Sequence, residues 1–259
     1  MNDFMDTLAM NAVKTIASGY YQNIHGAEHK KVSLKSSIAN CARNAVITEI
    51  KPASPSLGMI RNIINPVEIA KAMQRGGATG ISVLTEPIQF KGSLETLSQA
   101  RNAVELPILM KDIIIVPDQI DAGAKLGADA VLLIQALFDR NCTEMNLQKT
   151  ISYAHNQGLE VLLETHTEAE FRSALDTDAD VIGINNRDLS TLKIDLETTC
   201  KILAEYENPS KLVISESGIQ NPEDLKRLRC SGARGFLVGS SIMLTDDIEA
   251  KVKEYVNTP

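Results

Sequence analysis

One repeated phrase limits this chain more than any other feature: a short β-branched apolar run, a glycine-bearing or polar turn, then an amphipathic stretch of roughly a dozen residues. Eight such runs follow residue 43: Ala45–Ile50, Gly80–Leu84, Pro107–Met110, Ala130–Ile134, Glu160–Glu164, Asp180–Ile184, Lys211–Ser215 and Gly235–Val238. They recur every ~20 to 35 residues, the length of a strand plus its crossover helix, so the strands should lie parallel. Prolines open several intervening helices and glycines close them, as in Pro66–Gly76, Pro117–Gly123 and Pro222–Gly232. The phrases GGATGISVL, LGADAVLLI, TDADVIGIN and SGARGFLVG repeat one small-residue turn into a strand.

Strands that are apolar on both faces need helices outside and partners on each edge. The expected fold is therefore α/β, a single (β/α)8 TIM barrel. An open doubly wound sheet is the structural alternative, but no G-x-G-x-x-G follows the first strand. Residues 1–43 do not keep the beat and read as an N-terminal helical extension that packs across one end or over the mouth. Residues 44–259 form the barrel, the two parts making one domain over 1–259.

A barrel of this kind needs about 250 residues, close to the 259 present. The net charge of -7 and a pI near 5.2 argue against nucleic acid and anionic membrane as partners, since both demand a basic face. Cys41, Cys142, Cys200 and Cys230 form no C-x-x-C pair, so reduced thiols in a cytoplasmic protein are expected. The N-terminus has no secretory pattern, and no apolar run approaches the ~20 residues of a spanning helix.

In such barrels the C-terminal strand ends share one mouth, so sites assemble from residues far apart in sequence. The first strand ends with Glu49 and Lys51, two apart and thus on one face. The third ends with Lys111, the fifth with Glu164, the sixth with Asn185 and Arg187. Charges at the ends of apolar strands are costly to desolvate unless paired or used, and so many together suggest chemistry. Strands seven and eight end in SESG and VGSS, placing Ser217, Gly218, Gly239 and Ser240 where glycine amides and hydroxyls can hold a small phosphate. The expected ligand is a small phosphorylated molecule.

The strings E-I-K-P-A-S-P-S, T-E-P-I-Q-F-K-G-S, L-M-K-D, L-L-E-T-H, I-N-N-R-D-L, S-E-S-G-I and V-G-S-S-I-M together resemble the indole-3-glycerol phosphate synthase family, from about residue 44 to 245. The resemblance implies an enzyme of tryptophan biosynthesis, a carboxy-lyase. It closes 1-(2-carboxyphenylamino)-1-deoxyribulose 5-phosphate into an indole with loss of carbon dioxide and water. By the same resemblance Lys111 is the general acid at the ketone and Glu164 handles protons in dehydration. Lys51, held by Glu49, steers an anionic end of the substrate and assists proton transfer. Asn185 binds a substrate hydroxyl, Arg187 and Ser54 anchor the anthranilate carboxylate or its neighbours, and Ser217, Gly218, Gly239 and Ser240 hold the phosphate. No metal or organic cofactor is implied. A monomer is expected, with association with other enzymes of the pathway left open.

Two departures stand out. Ile113 follows the K-D string where the family usually has an aromatic residue, and Gln89-Phe90 stands where it has an aromatic pair. Aliphatic contacts and Phe90 must therefore hold the anthranilate ring. Ring closure onto a carbonyl needs an acid at the oxygen, and a lysine serves if neighbouring cations or burial lower its pKa. Two lysines in one mouth are expected to depress each other.

Three further signals read as structural. His25-Gly-Ala-Glu28-His29 spells H-x-x-E-H in a charged surface segment without a third ligand. His166 reads as a rim residue behind Glu164, and Asp246, Asp247 and Glu249 read as a helix start. A phosphoribosylanthranilate isomerase-like barrel is the rival enzyme, disfavoured because the first strand offers Glu49 and Lys51 rather than cysteine and aspartate. A catalytically silent phosphate-binding barrel is the rival from another class.

Overall fold

The computed structural model describes residues 3–26, 29–62, 65–189, 191–206 and 209–259. Eight parallel strands close on themselves in chain order: β1 Val46–Ile50, β2 Gly80–Leu84, β3 Ile108–Lys111, β4 Ala130–Ile134, β5 Glu160–Thr165, β6 Val181–Asn185, β7 Leu212–Glu216 and β8 Gly235–Val238, with β8 pairing back onto β1. The expected (β/α)8 barrel is the fold observed. Several strands run one residue further than their apolar stretches, so Lys111, Asn185 and Glu216 are the last residues of β3, β6 and β7.

The near-continuous apolar strands hide a period of two. One set of side chains, including Val46, Val83, Met110, Leu133, Leu163 and Phe236, packs outward against the helices. The alternate set, including Ile47, Leu109, Leu132, Leu162, Ile214 and Leu237, fills the barrel interior. Two residues on from these inner apolar positions come Glu49, Lys111, Ile134, Glu164, Glu216 and Gly239, all of which line the mouth. The strand pattern that fills the core thus also aims the charged groups.

Helix ends follow their sequence signals with one correction. The helix Pro117–Leu126 does not stop at Gly123 but at Gly127, which takes the left-handed φ of 89°. Gly123 serves packing instead: a Cβ there would stand 2.8 Å from the Met110 sulfur.

The N-terminal extension visits both ends of the barrel. Helix Phe4–Ala17 lies over the mouth, where Leu8 lines the cavity and Arg140 clasps Asp3 and Asp6 at 2.7 and 3.0 Å. The chain then passes down the outer wall. Tyr20 bonds the Thr85 carbonyl at 3.1 Å and Tyr21 bonds Asp112 at 2.9 Å, both near strand C-termini. Lys31 and Val32 bond Ala128 and Asp129 near a strand N-terminus. Helix Leu34–Ala39 plugs the opposite end. Leu34 and Ile38 rest against Gly80 and Gly235, the first residues of β2 and β8.

Candidate active site

The mouth holds a cavity of about 410 Å³. Its walls are mostly apolar, from Leu8, Leu84, Phe90, Ile113, Leu132 and Ile134 among others, and its floor is charged. Glu49, Lys51, Phe90, Lys111, Glu164, Asn185, Arg187, Ser217, Gly218, Gly239 and Ser240 all face it, though they are scattered over most of the chain.

Lys111 stands at the centre of the floor. Its Nζ donates to Glu164 Oε2 at 3.0 Å and to Glu216 Oε2 at 2.7 Å. Both carboxylates are almost wholly buried, and Glu49 is buried beside them. Burial opposes the charge on Lys111, but Glu164 and Glu216, with Glu49 behind them, outweigh it and hold the ammonium well above the ordinary lysine range. For Lys111 this corrects the expectation of a lowered pKa: the two carboxylates in contact with its ammonium decide the direction. In Glu164, burial works against ionisation, yet Lys111 and then His166 and Asn185 hold the carboxyl well below its usual range. In Glu216 burial prevails and, with the charge of Glu164, pushes the carboxyl up. The floor is therefore a cluster poised to share a proton.

Two glycines make room for the carboxylates. A Cβ on Gly183 of β6 would fall 2.0 Å from Glu216 Oε1, and one on Gly239 would fall 2.6 Å from Glu49 Oε1. Lys51 Nζ sits 2.9 Å from Glu49 Oε1, a contact the i, i+2 spacing allows. Among the described residues Glu49 Oε2 and Glu216 Oε1 are buried and accept no hydrogen bond, which leaves each carboxylate one oxygen able to accept one.

The rim is fixed by backbone-directed side chains. Glu86 accepts the amides of Ile88, Gln89 and Phe90 at 2.9, 2.7 and 2.9 Å, which turns the loop so that Phe90 faces the cavity. Asp112, pushed up to about 6 by burial, accepts Thr85, Tyr21 and the Ile113 amide and so ties the end of β3 to its neighbours. Arg187 Nη1 donates to Ser56 Oγ at 3.0 Å and to the Leu192 carbonyl at 3.2 Å.

Ser54 is not part of this cavity. It lies buried in a small ribbon, Ala53–Ser54 paired with Gly58–Met59, where its hydroxyl accepts the Leu57 amide at 3.2 Å. Ser56, two residues on and beyond the ribbon's first strand, faces the cavity in its place.

At the far wall Ser217 and Gly218 both take left-handed conformations, with φ of 65° and 88°. For serine this costs on the order of 1 kcal/mol and marks a turn held by its surroundings. Asn186 does the holding. Its Nδ2 donates to Ser215 Oγ and to the carbonyls of Glu216 and Ser217 at 2.9, 2.9 and 3.0 Å, and its Oδ1 accepts from Thr199. Opposite this turn, Ser240 and Ser241 open the short helix Ser240–Met243 after Gly239, where first-turn amides have no intrahelical acceptor.

Sequence reasoning missed Leu8, Ser56 and Glu216. Glu216 was readable, since it stands two residues after the inward Ile214 in the string that also carries Ser217 and Gly218. Leu8 had no local signal. The structural readings of Asp247 and His166 agree with their places. Asp247 caps Ile248–Val256, and His166 lies behind Glu164 rather than in the mouth. Of the H-x-x-E-H string, Glu28 lies outside the described residues, and His29 stands 3.8 Å from Asp129. Among the described residues no helix is long and apolar enough to cross a membrane.

Fold and floor together define an α/β barrel whose C-terminal mouth carries a buried cluster of one lysine and several carboxylates. Solved structures with the same fold include thiamine phosphate pyrophosphorylase from Pyrococcus furiosus, at TM-score 0.62 and 18% identity over 86% of this chain and 96% of that one. The N-acetylmannosamine-6-phosphate 2-epimerase from Clostridium perfringens is similar at TM-score 0.62 and 16% identity, over 83% and 93%. Sequence narrows the class. The family model described as indole-3-glycerol phosphate synthase matches residues 7–255. Relatives of that name include those of Methanocaldococcus jannaschii, 48% identical over 83% of this chain and 78% of its own, and Haloarcula marismortui, 39% identical over 93% and 90%. The chain belongs to the indole-3-glycerol phosphate synthase family.

Proposed function

We propose that this enzyme converts 1-(2-carboxyphenylamino)-1-deoxyribulose 5-phosphate to indole-3-glycerol phosphate at the barrel mouth, with Lys111 and Glu164 as its principal proton donors and acceptors. The observation that carries this reading is the Lys111 ammonium held 3.0 Å from Glu164 and 2.7 Å from Glu216 on the floor of an otherwise apolar cavity.

The chemistry needs three things. The ring carbon bearing the carboxylate attacks the ketone, pushed by the aniline nitrogen, and the ketone oxygen must receive a proton as the bond forms. Lys111 supplies it. A high pKa makes a weaker acid in the resting floor, but substrate entry separates the ammonium from at least one carboxylate, and the proton then has the developing alkoxide as its best acceptor. Carbon dioxide then departs, leaving its electron pair in the ring and restoring aromaticity. Finally the new hydroxyl takes a second proton from a lysine of the mouth and leaves as water, while Glu164, as the base, takes a proton from the carbon beside nitrogen.

Binding is divided between the two ends of the cavity. Lys51, held by Glu49, and Arg187, steadied by Ser56, suit the anthranilate carboxylate, while Phe90, Leu8 and Ile113 offer the ring an apolar wall. Asn185 is placed for a sugar hydroxyl. The turn at Ser217–Gly218 and the helix start after Gly239 and Ser240 suit the phosphate. The extension 1–43 and the barrel 44–259 act as one domain, because Leu8 belongs to the same cavity as the strand ends. A monomer needs no residue from a second copy for these roles, and the four unpaired cysteines suit a cytoplasmic enzyme.

Purified protein supplied with the substrate should develop indole fluorescence and release one carbon dioxide per indole formed. Failure to form indole from that substrate would overturn the reading.

A further inference from the structure

We propose that His166 delivers to Glu164 the proton that each turnover consumes, drawing it from a second cavity behind the mouth. The inference rests on the roles given above to Glu164 and Lys111.

The need for such a route follows from the balance of the reaction. The substrate enters as a carboxylate and that group leaves as neutral carbon dioxide. The ketone oxygen gains two protons on its way to water, and one proton is returned from the carbon beside nitrogen. Two in and one out leave one proton taken from the medium per turnover. The floor can give its stored proton to one turnover, and while substrate or product still fills the mouth it can regain that proton only from behind.

His166 is placed to do this. Its buried Nε2 stands 3.3 Å from Glu164 Oε1, the oxygen turned away from Lys111, an ion-pair distance without the alignment of a hydrogen bond, so a small turn of the ring is needed for transfer; its Nδ1 stands 3.4 Å from Glu170 Oε2. The imidazole is 10% exposed and lines not the mouth but a separate cavity of about 600 Å³, between helix Glu168–Leu175 and the segment after β6. Asn185 and Leu189 form the partition, facing both spaces. Across the second cavity stand Arg140, Asp188, Lys193 and Asp195. One carboxylate thus touches the acid of the mouth with one oxygen and an imidazole open to a second space with the other. Burial opposes a charge on His166, but Glu164 and Glu170 outweigh it and push the group up to about 9, so it carries a proton at neutral pH. Once Lys111 has given its own proton away, the charge that chiefly holds Glu164 down is gone, and Glu164 can then take the imidazolium proton and pass it on to the amine.

His166→Gln tests this by stopped-flow indole fluorescence. A first turnover at near the parent rate is expected, since the floor already holds its proton. Steady-state kcat should then fall about tenfold or more, with KM little changed. Rising concentrations of imidazole or another small buffer acid should restore kcat in the variant and leave the parent enzyme unaffected. An unchanged kcat, or a loss equal in the first and later turnovers and indifferent to buffer, overturns the proposal. Glu170→Gln supplies a second test should the first variant not fold. It keeps an acceptor for the His166 amide, which now donates to Glu170 at 2.7 Å, but removes one charge that raises the imidazole. Its alkaline limb of kcat should move to lower pH, and an unmoved limb counts against the relay. Should Glu164→Gln keep full activity, the roles proposed for the mouth fail; loss in that variant beside unaffected His166 and Glu170 variants sinks the relay alone.

Discussion

Glu216 holds its carboxylate 2.7 Å from the Lys111 ammonium only because position 183 on the neighbouring strand has no side chain. The Gly183→Ala variant places a methyl 2.0 Å from Glu216 Oε1, and backbone on β6 cannot yield without disturbing Asn185. Glu216 must swing away, leaving Lys111 with one close carboxylate. We expect kcat to fall at least as much as stability, with loss of about 1–3 kcal/mol from overpacking. Parallel measurement of kcat and urea unfolding checks it; a fully active, equally stable variant would contradict the steric account.

Asn186 ties β6 to the Ser217 turn through one amide. Asn186→Ala strips several buried partners of their bonds and should cost about 1–3 kcal/mol, with KM raised more than kcat is lowered because the turn at the phosphate end loosens. Inorganic phosphate, as a competitive inhibitor, should bind this variant more weakly than the parent; unchanged inhibition would remove Asn186 from that role.

Arg140 secures the N-terminal helix over the mouth through exposed pairs with Asp3 and Asp6. Surface pairs contribute little to stability, so Arg140→Ala should shift unfolding by under about 1 kcal/mol. If the helix contributes Leu8 to the ring wall, KM should still rise several-fold. A change in stability without a change in KM would mean the helix is only structural.

Stability should also report the charge on His166. Its pKa is about 9 in the fold against 6.5 for an ordinary histidine. Because the folded value is the higher, its contribution is fully present below pH ~6.5 and is lost as pH rises through about 9. By linkage this amounts to at most ~3 kcal/mol. The difference in unfolding free energy between the parent and His166→Gln should therefore shrink over that window, and a pH-independent difference would refute the assignment.

The barrel was legible because its strands advertise themselves: apolar β-branched runs at crossover spacing leave few alternatives. Most of the floor was legible too, since Glu49, Lys51, Lys111 and Glu164 are charges at the ends of such runs. What escaped depends on distance in space. Leu8 reaches the mouth only because the extension folds over it, and no local pattern encodes that. Ser54 and Ser56 share a string, and the ribbon that buries the first and presents the second is set by a turn rather than by residue type. The charge state of Lys111 was misjudged because Glu216 had not been placed beside it; once β7 is extended by one residue, the direction of the shift follows. Gly123 looked like a helix stop until its contact with Met110 gave it another purpose.

The division of labour between Lys111 and Glu164 is tested most directly by following carbon dioxide and indole separately in single turnovers. In Lys111→Ala neither should appear at an appreciable rate, because the ring cannot close without its acid. In Glu164→Gln carbon dioxide should be released while indole fluorescence lags far behind, since closure proceeds and dehydration stalls. Equal loss of both signals in the two variants, or indole formed at the parent rate in either, would contradict the account.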